Sequence, residues 1–504
     1  MKRMALILSI IFLSFSCSQN SIRPNERTPQ SIVDLISNIP ITLNQINDPD
    51  IFNENSCTQY LGKLSNTLYN LPTDYFYPKN QEERSILISN GINYYQNLIE
   101  LNLALQSRFR HFSNPTQECI SSVRKGIRFT RYATDGIADW LFENKYIKAN
   151  ELIFSDVGTQ TIVSSEAKED VVDDRFIPQT GDVILMRGQT FVSSMIARVA
   201  NEATGFAHLA VIGEDDSNNK FILESLIETG VTITPFDEWM KKAREVRLVV
   251  YRHKDNNLRK TAGKLIYNYS KNKINADGQI PYDFTMNPED HSQIFCAELV
   301  QLAFELASNN NLVLPKHKSS FSKLISKRFM MDIGVTKSDS FAPGDIELEP
   351  NFEAVAEYRQ FSALRKIKVQ DAVMTSMFNW MIEKNYNFSP NPKAYILSNL
   401  AWIARQFGIG KKQMQKHMKP AALGTLIKFQ DVTSVLEKEF LKLDKDYFSK
   451  NGYFLSFKDL LGGLEQFRLD DCQFYKEHRF DVDNKNNQSS KFHLYFNTDN
   501  DICE

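Results

Sequence analysis

Cys296, His208 and Glu224 are the residues whose types and placement can do chemistry together. Cys296 stands in Ile294-Phe295-Cys296-Ala297-Glu298-Leu299, at the start of an apolar-periodic stretch. Phe295, Leu299, Leu302 and Leu306 share one face there, which predicts a helix over 292–307 with Ser292 as its N-cap. A thiolate is the nucleophilic form of cysteine, and a helix N-terminus favours negative charge. A cysteine on a helix face is also an ordinary small hydrophobe, so Cys296 needs a base beside it to count as a nucleophile.

His208 can supply that base. It opens the short apolar run His208-Leu209-Ala210-Val211-Ile212, and a second run, Lys220 to Glu224, follows a loop rich in Asp and Asn. A hairpin symmetric about Asp216 would set Ile212 opposite Lys220, Ala210 opposite Ile222 and His208 opposite Glu224. Directly opposed side chains share a face, so Glu224 would orient the His208 ring and favour its protonated form. A slip of one residue would separate them.

These residues fall in order within one segment: Gly181-Asp182-Val183-Ile184, Phe206-Ala207-His208, Leu223-Glu224-Ser225, Pro281-Tyr282-Asp283 and Phe295-Cys296-Ala297-Glu298-Leu299-Val300. The series resembles the YiiX-like permuted papain-fold cysteine hydrolases, relatives of the NlpC-type cell-wall peptidases. The likeness covers 176 to about 310, and His before Cys is the permuted order. It implies that Cys296 is the nucleophile, His208 the base and Glu224 the orienting acid. It further implies that Tyr282 donates at the oxyanion position and that no cofactor is needed. Asp283 and Glu298 are read as structural, and His291 is passed over as base. The family's Ser before His and Ser after Cys are Ala207 and Ala297 here.

The elements that would position these groups are short β-branched runs at 183–186, 208–212, 221–225, 231–233 and 246–251. Helical periodicity precedes them, as at Ile88, Ile92, Tyr95 and Ile99, and returns at 352–384 and 432–443. An acidic, polar stretch over 155–174 reads as a linker or surface loop. The expected fold is α+β: a helical region over 31–154, a permuted papain-like domain with a small antiparallel sheet over 176–345, and a helical region over 349–504.

The N-terminus carries Lys2 and Arg3, an apolar run from Met4 to Leu13, and Cys17. The run is too short for a membrane span, which needs about 20 residues. It resembles a bacterial lipoprotein signal with Cys17 as the lipidated residue, although Leu13 stands one place earlier than that pattern has it. Residues 1–17 would be the signal and 18–30 a tether, placing the protein in the cell envelope, on the periplasmic face of the outer membrane or at the cell surface. With Cys17 and Cys296 assigned, Cys57–Cys119 and Cys472–Cys503 remain as candidate disulfides.

A net charge of -2 gives no electrostatic case for nucleic acid. The eight histidines are scattered, and neither a metal-binding spacing nor a nucleotide-binding loop is present in the sequence. The expected activity is therefore that of an exported thiol hydrolase acting on amide bonds, with a peptide or acyl substrate and a membrane contact through the lipid anchor. The alternatives are a lipid acyl hydrolase or acyltransferase, and a non-catalytic binding lipoprotein.

Overall fold

The computed structural model describes residues 31–62, 77–146, 159–162, 166–172, 175–200, 202–242, 245–321, 335, 337–388, 392–406, 420–478 and 491–497. The signal and tether lie outside these residues. No described helix is long and apolar enough to cross a membrane.

The N-terminal region is helical: α1 Ile32–Ser37, α2 Ile39–Asn47, α3 Gln81–Phe109 and α4 Gln117–Glu143. Asn80 and Thr116 cap α3 and α4 by accepting the N–H groups of Glu83 and Cys119. On α3 the buried stripe is Leu87, Tyr95, Leu98 and Ile99, while Ile88 and Ile92 are exposed. The helix was thus expected correctly, with Tyr95 and Ile99 on its buried face as read and Ile88 and Ile92 off it. Cys57 and Cys119 form the expected disulfide, with Cα atoms 5.5 Å apart. Cys472 is also disulfide-bonded, and its expected partner Cys503 lies outside the described residues.

The central sheet has seven strands, all paired antiparallel. They are β1 Thr159–Ile162, β2 Val183–Gly188, β3 His208–Glu214, β4 Lys220–Leu226, β5 Gly230–Pro235, β6 Glu245–His253 and β7 Phe352–Arg359. Their spatial order is β1-β7-β6-β2-β3-β4-β5. Two of the seven were not expected as strands. β1 lies inside the stretch read as a linker, and β7 replaces the start of a helix expected over 352–384. In β7 both faces are buried from Ala354 onward. A doubly buried strand shows no period of two and can be mistaken for the buried side of a helix.

Helices α5 Phe191–Val199 and α6 Phe236–Lys242 interrupt the strands, and α7 Asn256–Asp277 and α8 Cys296–Ser308 pack together against β3. Beyond β7 come α9 Phe361–Glu383, α10 Pro392–Gln406, α11 Pro420–Asn451 and α12 Phe457–His478. The architecture is α+β, with the sheet and α8 in one apolar core.

Buried ion pairs fasten the helical regions to the sheet. From α4, Asp135 pairs with Arg247 of β6 and Arg359 of β7, and Arg131 pairs with Glu347. From α9, Asp371 lies 2.8 Å from Arg187 of β2 and 2.7 Å from Arg198 of α5.

Candidate active site

The start of β2 shows why Gly-Asp stands there. Gly181 has φ +80°, and a Cβ on it would come within 1.9 Å of the Arg259 carbonyl oxygen. Its N–H donates to Ile212 O at 2.7 Å, and the Ile212 N–H donates to Asp182 O at 2.9 Å, which ties this corner to β3. The Asp182 carboxylate is fully buried and accepts from Arg252, Arg259 and the Gln179 N–H. The motif is therefore a structural corner that sets the strand opened by His208.

The β3–β4 hairpin pairs Ala210 with Glu224, Ile212 with Ile222 and Glu214 with Lys220. That is two residues away from the expected register, and it is centred on Ser217 rather than Asp216. The cause is turn chemistry. The Asp215 carboxylate accepts the N–H groups of Ser217 and Asn219, and Asn218 takes a left-handed φ of 62°. A shift of two preserves which side chains share a face. Glu224 therefore lies diagonal to His208, within reach of a long side chain, and its Oε2 is 2.8 Å from His208 Nε2.

Cys296 is brought in by the segment after α7. The Val231 N–H donates to Ile280 O, the Ile294 N–H to Pro281 O, and Ser225 Oγ to Ile294 O at 2.6 Å. These bonds lash the segment to β4 and β5. Helix α8 then starts at Cys296 itself, with Phe295 as its extended cap residue; Ser292 lies outside it. Glu224 holds the His208 ring at Nε2, and the Cys296 side chain is near enough to be among the causes that raise the ring's pKa. With Nε2 taken by the carboxylate, Nδ1 is the ring nitrogen left for the thiol.

Burial disfavours a charged His208 ring, but the neighbouring Cys296 and Glu224 outweigh it and lift its pKa from 6.5 to about 10. The ring keeps 20% of its side-chain exposure, whereas Cys296 is buried at 6% and free of any disulfide. The thiol is thus largely covered in this structure. Tyr282 adjoins the Cys296 side chain, which is among the causes that raise its phenol pKa. Burial, followed by the Cys296 charge, holds its phenol well above the usual value, so Tyr282 remains a donor.

Trp239 of α6 was not anticipated. Its Nε1–H donates to Glu224 Oε1 at 3.0 Å, which leaves Oε2 for His208. A buried tryptophan whose indole N–H must find an acceptor was the available signal, but fifteen residues and a strand separate it from Glu224 in sequence.

Asp283 accepts the Thr285 and Asn287 N–H groups, and Glu298 accepts the Phe295 N–H, so both are structural as expected. Ala207 donates its N–H to Met186 O, and Ala207 and Ala297 are both buried. Among the described residues no group of three or more His, Cys, Asp or Glu side chains is placed to hold a metal ion.

An antiparallel sheet with His and acid on neighbouring strands, followed in sequence by Cys at a helix start, defines a permuted papain-like domain. Residues 177–346 match the family described as permuted papain-like amidase enzyme, YaeF/YiiX, C92 family, and this segment is a YiiX-like domain of that kind. A solved structure described as the metalloprotein YiiX from Escherichia coli O157:H7 aligns at 16% identity over 36% of this chain and 98% of that one, with a TM-score of 0.28. No curated protein matches the chain.

Proposed function

We propose that the protein is an exported thiol hydrolase that cleaves amide bonds through an acyl-enzyme on Cys296. The observation that carries the reading is the chain of contacts Cys296–His208–Glu224 within a domain of an amidase family. His208 takes the thiol proton, and the sulfur attacks the substrate carbonyl carbon. The N–H groups of the first turn of α8 have no partner inside the helix, and with Tyr282 they face the developing oxyanion. The C–N bond breaks as the imidazolium gives its proton to the leaving amine. Water, deprotonated by His208, then attacks the thioester, and the thiolate leaves.

A second reading, a lipid acyl hydrolase or acyltransferase, is favoured by the site's apolar border. Ile227, Phe284, Leu423 and Leu426 cluster together, and the Phe284 ring lies 5.1 Å from that of Tyr282. A panel of peptidyl and long-chain acyl thiol-reactive probes, read by mass at Cys296, separates the two. Faster labelling by peptidyl probes supports amide cleavage, and faster labelling by long acyl chains replaces it with the second reading.

The same mechanism fixes a pH dependence. A His208 ring with a pKa near 10 keeps its proton through neutral pH, and its ion pair with Glu224 is lost as pH rises through about 10. Glu224→Gln keeps a polar partner but removes the charge that raises this pKa. The alkaline limb of the rate profile should therefore move to lower pH. An unmoved limb in the variant would remove Glu224 from its orienting and charge-stabilising role.

Export rests on Lys2-Arg3, the apolar run and Cys17. Incorporation of a fatty-acid analogue should be lost in Cys17→Ala, and the protein should leave the membrane fraction. Persistent labelling of that variant would rule out lipidation at Cys17.

A further inference from the structure

The helix that carries Cys296 lacks half of a normal start. A capping box satisfies two orphan N–H groups reciprocally, one of them through a Ser or Thr side chain at the cap. Here the cap residue is Phe295, which has no side-chain acceptor, and only the return bond exists: the Phe295 N–H donates to Glu298 Oε2 at 3.1 Å. The other carboxylate oxygen, Oε1, is 2.9 Å from His291 Nδ1. Glu298 is fully buried, while the His291 side chain is 32% exposed. His291 is itself anchored, because Lys273 Nζ donates to its carbonyl oxygen at 2.9 Å.

We propose that His291 is a positioning residue for the nucleophile: it holds Glu298, and Glu298 fixes the backbone of Phe295 and Cys296. This rests on the reading that Cys296 is the reactive thiol. His291 touches neither the thiol nor His208 through any contact described above, so its effect passes through the carboxylate. The groups facing it are Glu298 and Glu305 of α8 and Lys273 of α7, and Asp283 faces Glu298 from the preceding loop. Burial lifts Glu298 to about 7, and the hydrogen bond and charge of His291 oppose that rise. Glu298 in turn raises the His291 pKa, so the protonated ring and the carboxylate that accepts the Phe295 N–H favour each other.

The test is the rate of Cys296 alkylation by iodoacetamide across pH 5–10, quantified by peptide mapping in the full chain. This readout needs no knowledge of the substrate. His291→Ala should slow alkylation about tenfold near neutral pH, the scale on which a small displacement of a reacting group acts. His291→Asn places an amide N–H near the Nδ1 position and should restore most of the rate. It carries no charge, so the step in the profile that follows Glu298 ionisation should move to higher pH. A residue that merely packs would leave that step in place. Should His291→Ala fold poorly in a thermal melt, the position of the step in His291→Asn decides the matter. Wild-type rate and an unmoved step in both variants overturn the proposal. If His208→Ala slows alkylation in that same series, the catalytic reading stands without this one, and if His208→Ala is also silent, both fall.

Discussion

Cys296→Ala should abolish turnover, and His208→Ala should lower it by roughly 10²–10⁴-fold, the usual worth of a positioned general base. The two act as one unit, so the double variant should be no worse than Cys296→Ala alone. Neither change should unfold the protein. Cys296→Ala removes one small buried group at the helix start, and His208 stands at the edge of β3 with part of its ring in solvent. Loss of the Glu224 partner on His208→Ala leaves that carboxylate bonded to Trp239. Hydrolysis assays beside thermal melts check both claims. Residual turnover above a tenth of wild type in Cys296→Ala would end the nucleophile assignment.

The second large effect is on stability. Gly181→Ala places a methyl 1.9 Å from the Arg259 carbonyl oxygen at a residue with φ +80°. A non-glycine residue in that backbone region costs about 1–3 kcal/mol, and forcing an atom into packed structure costs about 1–3 kcal/mol more. The obstruction is backbone, so no rotamer change relieves it. Domains are commonly stable by about 5–15 kcal/mol, so the variant should melt well below wild type. Activity should fall with it, because the Gly181 and Asp182 backbone bonds to Ile212 hold β3 in place. A melting temperature within a degree or two of wild type would show that the corner relaxes freely.

Much of the site was legible because its parts obey local rules. β2 to β6 are short, β-branched and bounded by turn residues, and each was expected within a few residues of its place. Cys296, His208 and Glu224 could be assembled because a face is preserved when register slips by two. The register itself depended on Asp215 and Asn218 in the turn, whose hydrogen bonds are not apparent from composition. Tertiary packing hid the rest. β7 reads as helix because both of its faces are buried, and β1 is a four-residue edge strand in an acidic stretch. Trp239 and His291 act through partners that only the folded chain brings near, and neither carries a distinctive neighbourhood in the sequence.

The ion pairs between the helical regions and the sheet also bear on how the chain can be divided. Arg187 and Arg247 lie on the strands β2 and β6, yet Asp371 and Asp135, which neutralise them, lie on α9 and α4. A fragment cut to residues 177–346 would lose Asp371 and Asp135 together with β7, which pairs with β6, so both guanidinium groups and one edge of the sheet would be opened to water. The flanks thus complete both the sheet and its ion pairs, and the trimmed segment should melt below the full chain.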